Sequence, residues 1–313
     1  MLETLNQPYI VLAASIVITA GVRCFSNIYS KKFTNNTADT AFFTLCSAVI
    51  SLCVVLLFVL LDGFQGVSLY TFLLAILFAA CSFVNTYSAT RALVLGPLAY
   101  TCVIASASSI IPILYGCIFM GEKITVFQII GIVLIMISVF LSVETKGEQK
   151  KASLRWLCYA LVNFVLNGTL GILQKIHRAS AHANESNEYL LIMFFFMALF
   201  TVGYLLILRN KGTVRTVKPL KNHKALFTLL GAGACAGLIN IFNLYLAGAL
   251  DAAFLFPVLN GGATLAALLL AFVVFKEKFT LRRSIGLAIG VLALMFLFGI
   301  IQIILRQFGV PGL

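Results

Sequence analysis

The sequence predicts an all-α membrane protein of ten transmembrane helices, arranged as an inverted repeat of two five-helix halves. Three observations carry this. The chain is 61% hydrophobic and 10% charged, with a mean hydropathy of +1.06, whereas soluble domains carry about 25% charged residues. Ten apolar runs approach the ~20 residues that a helix rising about 1.5 Å per residue needs to cross a bilayer. Residues 85–131 also reappear without a gap 155 positions later: Asn85 falls on Asn240, Glu122 on Glu277, Lys123 on Lys278, Thr125 on Thr280 and Gly131 on Gly286. Self-similarity at half the chain length marks duplication. Five spans per half is an odd number, so the second copy enters the membrane from the opposite side.

The runs place helices at 9–30, 39–61, 69–92, 98–120 and 124–143, then at 154–176, 188–208, 225–249, 252–275 and 281–305. The first run has no basic region before it and outlasts a signal-peptide core, so it is read as an uncleaved span. The fourth and fifth helices, and the ninth and tenth, are joined by tight links at Gly121–Lys123 and Lys276–Lys278. The longest polar stretches, 143–155, 176–188 and 209–224, are too short to fold alone. Residues 1–313 therefore form one transmembrane domain, with the first repeat at 1–145 and the inverted one at 146–313.

Seventeen of the 22 Lys and Arg residues lie in the links after odd-numbered helices or in the helix ends that border them. That bias predicts cytoplasmic odd links and both termini outside. The net charge of +12 is spread over these links, which makes the bilayer, and not nucleic acid, the expected partner. All eight cysteines lie in apolar runs without a C-x-x-C pair, and His177, His182 and His223 lie outside the runs. No metal or cofactor is expected from this pattern, and no His, Asp and Ser constellation suggests an enzyme.

Glu122 and Glu277 each sit beside a Lys at a membrane-edge turn, where an acid can accept from the free N–H groups of the following helix. Asn85 and Asn240 fall near the middle of helices 3 and 8. An unsatisfied amide there costs several kcal/mol, on the order of a lost hydrogen bond in hydrocarbon. Each therefore faces a partner helix, in an interhelical hydrogen bond, or a wet cavity near the midplane. Tyr87 and Asn243 stand near them, and Asn163 and Asn167 share one face of helix 6 at i, i+4. Asn260 lies in Leu259-Asn-Gly-Gly-Ala-Thr264, three residues after Pro257, a composition that marks a kink or close backbone approach. The matching run in helix 4, Ala105 to Ser109, is all small residues. Arg23, inside the first span, either snorkels to the membrane edge or meets a substrate carboxylate. Gly233-x-x-x-Gly237 and Gly286-x-x-x-Gly290 permit close helix contact, leaving monomer and weak homodimer both open. Trp156 is expected as an interfacial anchor.

The stretch IIPILYGCIFMGEKITVFQIIGIVLIMISVFL, and its second copy LFPVLNGGATLAALLLAFVVFKEKFTLRRSIGLAIGVLAL, resembles the signature of EamA-type members of the drug/metabolite transporter superfamily. The recurring pattern is an apolar helix, an acid with Lys at a tight turn, then a glycine-containing helix. The resemblance implies a cavity lined by helices 1–4 and 6–9, peripheral helices 5 and 10, and export or exchange of small metabolites, commonly amino acids. It also suggests termini inside, against the charge bias. Small multidrug-resistance relatives bind cations at an acid in helix 1, where this chain has Arg23. The expectation is therefore a plasma-membrane secondary transporter moving a small polar metabolite, an amino acid or derivative, by alternating access. Its substrate contacts would be Asn85, Tyr87, Asn163, Asn167, Asn240, Asn243, Asn260 and Arg23. The alternative is an exporter of lipophilic or quaternary-ammonium cations.

Overall fold

The computed structural model describes residues 8–34, 37–95, 98–142, 153–210, 222–275, 280–299 and 301. Among these, every regular element is helical: α1 (Pro8–Phe33), α2 (Thr37–Asp62), α3 (Leu69–Leu95), α4 (Leu98–Ala107), α5 (Ile110–Phe119), α6 (Val126–Ser142), α7 (Leu154–Ala179), α8 (Ser186–Asn210), α9 (His223–Ala249), α10 (Ala252–Phe275) and α11 (Leu281–Leu297). A 3-10 turn, Ala183–Glu185, precedes α8. Among the described residues, seven helical segments are long and apolar enough to cross a membrane, and three shorter apolar segments lie in α6, α10 and α11. Helices α4 and α5 share one such run, Tyr100–Phe119.

Local chemistry sets the helix starts. Ser68 Oγ accepts from Thr71 N at 3.1 Å and begins α3. At α6, Thr125 and Gln128 cap each other: Gln128 N donates to Thr125 Oγ1 at 3.2 Å and Thr125 N to Gln128 Oε1 at 2.8 Å. Two otherwise orphaned N–H groups are met by this reciprocal box. Ser153 Oγ accepts from Trp156 N at the start of α7.

The described residues sort into two compact units. Unit 1 takes Met1–Phe83 and Leu173–Gly248. In it α2 packs against α8, and Tyr29, Ala225 and Leu229 of α1 and α9 form a core with Phe43, Cys46 and Ile50. Gly233 and Gly237 of α9 face α2: a Cβ at Gly233 would lie 2.6 Å from Ile50 Cβ, and one at Gly237 3.0 Å from Val54 Cβ. Ser51 Oγ donates to the Gly233 carbonyl at 2.8 Å across this contact. Unit 2 takes Val84–Ile172 and Ala249–Leu313, and in it α6 packs along α11. The same device recurs there. Ser138 Oγ of α6 donates to the Gly286 carbonyl at 2.6 Å, and a Cβ at Gly290 would overlap Leu265 and Ser138. Both G-x-x-x-G motifs are thus filled by helices of the same chain.

The tight link after α5 carries a further tie. Gly121 has φ +68°, and Glu122 N returns to the Gly116 carbonyl at 3.0 Å. The Glu122 carboxylate lies over Gly116, where a Cβ would overlap it, and its Oε2 accepts from Ala252 N at 2.7 Å. The acid caps the first turn of α10, not the helix that follows it in sequence. Glu277, its repeat equivalent, lies outside the described residues.

Candidate functional site

In unit 2 the fourth apolar run is interrupted near its middle. Helix α4 ends at Ala107 and α5 restarts at Ile110. In the gap, Ser108 N and Ser109 N reach back three residues to the carbonyls of Ala105 and Ser106, at 3.4 Å each. Their hydroxyls donate to the same carbonyls, at 2.6 Å and 2.9 Å. Short hydroxyl side chains offer the backbone this alternative to the regular ladder. Irregular backbone at membrane depth persists only where protein or a wet cavity satisfies it.

Helix α7 supplies that satisfaction. Asn167 Nδ2 donates to Ser108 Oγ at 2.6 Å and reaches the Ala105 carbonyl at 3.4 Å. The next residue, Gly168, permits the approach: a Cβ there would lie 2.5 Å from Ile111 Cβ and 2.8 Å from the Ser108 carbonyl. One turn earlier, buried Asn163 donates Nδ2 to Asn85 Oδ1 of α3 at 2.7 Å. The i, i+4 pair therefore spends one amide on α3 and the other on the break.

Tyr87 accepts from Arg91 Nε at 3.2 Å, and its ring lies edge-on to Tyr159 of α7 with centroids 6.2 Å apart. Trp156 is buried, and its Nε1 donates to Thr101 Oγ1 at 2.9 Å. It ties α7 to α4 and is not the headgroup anchor expected from its position. Asn260 is half-buried in α10, and its carbonyl accepts from Thr264 Oγ1 at 2.8 Å. The adjacent Gly261 lies against the Ile135 side chain of α6. The structure thus brings together Asn85 and Asn163, and Asn167 with Ser108, a residue the sequence reading did not single out.

Unit 1 holds the remaining candidates. Asn240 Nδ2 donates to the Ala236 carbonyl of its own helix at 2.9 Å. Three residues on, Asn243 Oδ1 is buried with no hydrogen-bond partner among the described residues. Arg23 is exposed on α1.

Unit 1 also contains a polar network that sequence reasoning missed. The stretch 176–188 reads as a polar link, yet its His177, Glu185 and Glu188 side chains are buried. Glu185 Oε2 accepts from Ser68 N at 2.9 Å and Ser68 Oγ at 2.8 Å, and its Oε1 lies 3.1 Å from His182 Nδ1. Glu188 Oε1 accepts from Gln65 N at 2.8 Å. His177, fully buried, places Nε2 3.4 Å from Thr71 Oγ1 and stacks on Tyr189 with centroids 4.3 Å apart. The available signal was two acids at i, i+3 beside two histidines, which periodicity cannot distinguish from a solvated turn. Among the described residues, no group of three or more His, Cys, Asp or Glu is placed to hold a metal ion.

Residues 8–144 match the family model described as the EamA-like transporter family, which belongs to the drug/metabolite transporter superfamily. The resemblance read from the sequence holds. No curated protein matches this chain. One solved crystal structure of a protein is similar over 97% of this chain and 99% of its own, with a TM-score of 0.74 and 12% identity. At that identity the likeness is one of fold alone.

Proposed function

We propose that this chain, an EamA-type member of the drug/metabolite transporter superfamily, is a secondary transporter of a small polar metabolite, an amino acid or a derivative of one. The observation that carries the reading is the 3-10 tightening of the fourth span at Ser108–Ser109, where Asn167 Nδ2 donates to Ser108 Oγ. Transporters of several folds bind substrate at discontinuous helices near the bilayer midplane, where unwound carbonyls and amides can exchange partners with a ligand. In this reading the Asn85–Asn163 and Asn167–Ser108 bonds hold the amides in place. Part of their remaining hydrogen-bonding capacity then serves the substrate, with Tyr87 and Asn260 as further contacts. Asn240, Asn243 and Arg23 form a second set of candidate contacts, carried by unit 1. Amides and hydroxyls suit neutral and zwitterionic groups better than lipophilic cations.

The surrounding scheme is a ten-span inverted repeat that works by alternating access in the plasma membrane. The bias of basic residues to odd links supports both termini outside, and the family resemblance supports both inside. The protein acts as a monomer or weak homodimer.

A thermal-shift screen of the purified protein tests the substrate class. A ligand that binds only the folded state stabilises it by about 2.7 kcal/mol at a hundredfold excess over Kd. Amino acids are expected to raise the melting temperature, with nucleosides, polyamines and sugar phosphates inert. If quaternary amines alone raise it, the substrate class is wrong and the protein is a cation exporter.

A further inference from the structure

We infer that Arg91 of α3 binds the anionic group of the substrate, the carboxylate in an amino acid, and makes that group a condition of recognition. The inference rests on the transport reading above and adds which part of the substrate is required. Within unit 2, contacts between α3 and α7 lead from the amides to this residue. Asn163 Nδ2 donates to Asn85 Oδ1 at 2.7 Å. One turn back from Asn163 on α7, the Tyr159 ring meets the Tyr87 ring edge-on, with centroids 6.2 Å apart. Arg91 Nε donates to the Tyr87 hydroxyl at 3.2 Å, and its guanidinium carbon lies 5.6 Å from the centroid of that ring. Asn167, Asn163 and Tyr159 follow one another at i, i−4 spacing, so they share one face of α7. Tyr87 stands about 3 Å along α3 from Asn85, at a rise of about 1.5 Å per residue.

The direction of the side chain separates this arrangement from a membrane-edge anchor. The apolar span that carries Arg91 ends at Leu95. A snorkelling arginine extends toward the nearer edge and keeps its charge in water. Arg91 turns the other way, back over Tyr87, which lies one turn deeper in the helix. Its surroundings agree. Leu93 and Val94 are exposed as lipid-facing side chains are, whereas Arg91 is half-buried and Ala92 belongs to a core with Trp156 and Ala160 of α7. A guanidinium drawn into a span is costly, and charges in that setting mark substrate pathways.

The chemistry of the group names the ligand. The amides and phenols of this cluster are neutral and serve hydroxyl, amide and ammonium groups alike. A guanidinium is always charged, and its planar fork matches a carboxylate in a bidentate pair. Tyr87 bonds Nε and Tyr159 packs on Tyr87, so two aromatic side chains orient the fork. A carboxylate held there directs the rest of an amino acid toward Asn85 and Asn163. A quaternary amine meets like-charge repulsion at the same place, which disfavours the cation-exporter alternative. The sequence alone assigned this role to Arg23, which is exposed on α1.

The test pairs each amino acid with its primary amide, which keeps the ammonium and the side chain and loses the carboxylate. Melting temperatures of the purified full chain are followed against ligand concentration for the native protein, Arg91→Gln and Arg91→Lys. The native protein is expected to need at least about tenfold more amide than amino acid for the same rise, because charge-assisted hydrogen bonds are roughly twice as strong as neutral ones. Arg91→Gln should lose that preference by weakening the response to the amino acid alone. Arg91→Lys keeps the charge without the fork and should retain a smaller preference. Equal responses to acid and amide in the native protein, or a preference that Arg91→Gln leaves intact, overturn the carboxylate contact and leave the transport reading standing. If Arg91→Gln does not fold, Arg91→Lys decides: a preference smaller than the native one upholds the contact, and an unchanged one overturns it. If no amino acid raises the melting temperature, the substrate class fails, and sugar phosphates are compared with free sugars and nucleotides with nucleosides. A preference for the phosphate that Arg91→Gln removes then upholds the anion contact at Arg91. A preference that survives Arg91→Gln, or no response to any of these compounds, overturns it.

Discussion

Asn85 and Asn240 occupy the same position in the two copies of the repeat, but their amides do different things. Asn85, in unit 2, accepts from Asn163 of another helix, so its side chain joins two elements. Asn240, in unit 1, donates to a carbonyl one turn back in its own helix, so among the described residues its hydrogen bond joins no second helix. Duplication copies the residue but not its neighbours. The contrast extends through the units: unit 2 concentrates its polar bonding around the broken span, and unit 1 concentrates its own at the turn between α7 and α8.

The strongest test of that contrast is steric. Gly168 of unit 2 seats α7 on the α4–α5 break, with 2.5 Å available to a Cβ before Ile111 Cβ. Gly203 of unit 1 has nothing within 4 Å. Gly168→Ala is expected to destabilise by about 1–3 kcal/mol, the usual cost of overpacking. Gly203→Ala is expected to be neutral or to gain up to about 1 kcal/mol from helix propensity. Melting temperatures of the two purified variants decide it, and equal shifts would mean that the break is not a packed feature.

Asn163→Ala follows in size. It strips Asn85 Oδ1 of its donor, and interhelical hydrogen bonds of this kind are worth roughly 0.6–2 kcal/mol in membranes. The double variant with Asn85→Ala should cost less than the sum of the two singles, because the bond can be lost only once. Additive melting shifts would deny the pair.

Glu122→Ala is next. It removes the acceptor of Ala252 N, and losing a helix cap costs typically about 1 kcal/mol. Hydrogen exchange at the first turn of α10 should quicken, while the α6 start, capped by Thr125 and Gln128, keeps its protection.

What the sequence could and could not reveal divides along physical lines. The helix positions were legible, since apolar runs end where polar links begin: the predicted 69–92 and 252–275 compare with Leu69–Leu95 and Ala252–Phe275. The break at Ser108–Ser109 was not, because Ala-Ser-Ala-Ser-Ser reads as small and apolar enough to continue a helix. Whether a serine hydroxyl turns on its own backbone depends on Asn167, 59 residues away. The polar side chains Asn85, Asn163 and Asn167 were legible as residues needing partners, since hydrocarbon offers none. Which partner each finds is a tertiary fact. The turn network was hidden for the opposite reason: a segment rich in Ser, His, Asn and Glu looks solvated, and only the fold shows Glu185, Glu188 and His177 to be buried.

The smallest effect on stability belongs to Asn240→Ala, and it sharpens the comparison most. The bond it deletes lies within one helix turn, and alanine is the better helix former, so the net change should stay within about 0.5 kcal/mol. Asn163→Ala, by contrast, should be visible in the melting temperature without any ligand. If Asn240 is a substrate contact, its variant should melt like the native chain when empty yet lose the ligand-induced rise, because that rise depends on affinity and not on the fold. A variant that keeps the full rise would remove Asn240 from the binding residues and leave the amides of unit 2 as the ones that matter. A variant that destabilises the empty protein by more than about 1 kcal/mol would mean that Asn240, like Asn85, holds helices together, and the two copies would be alike after all.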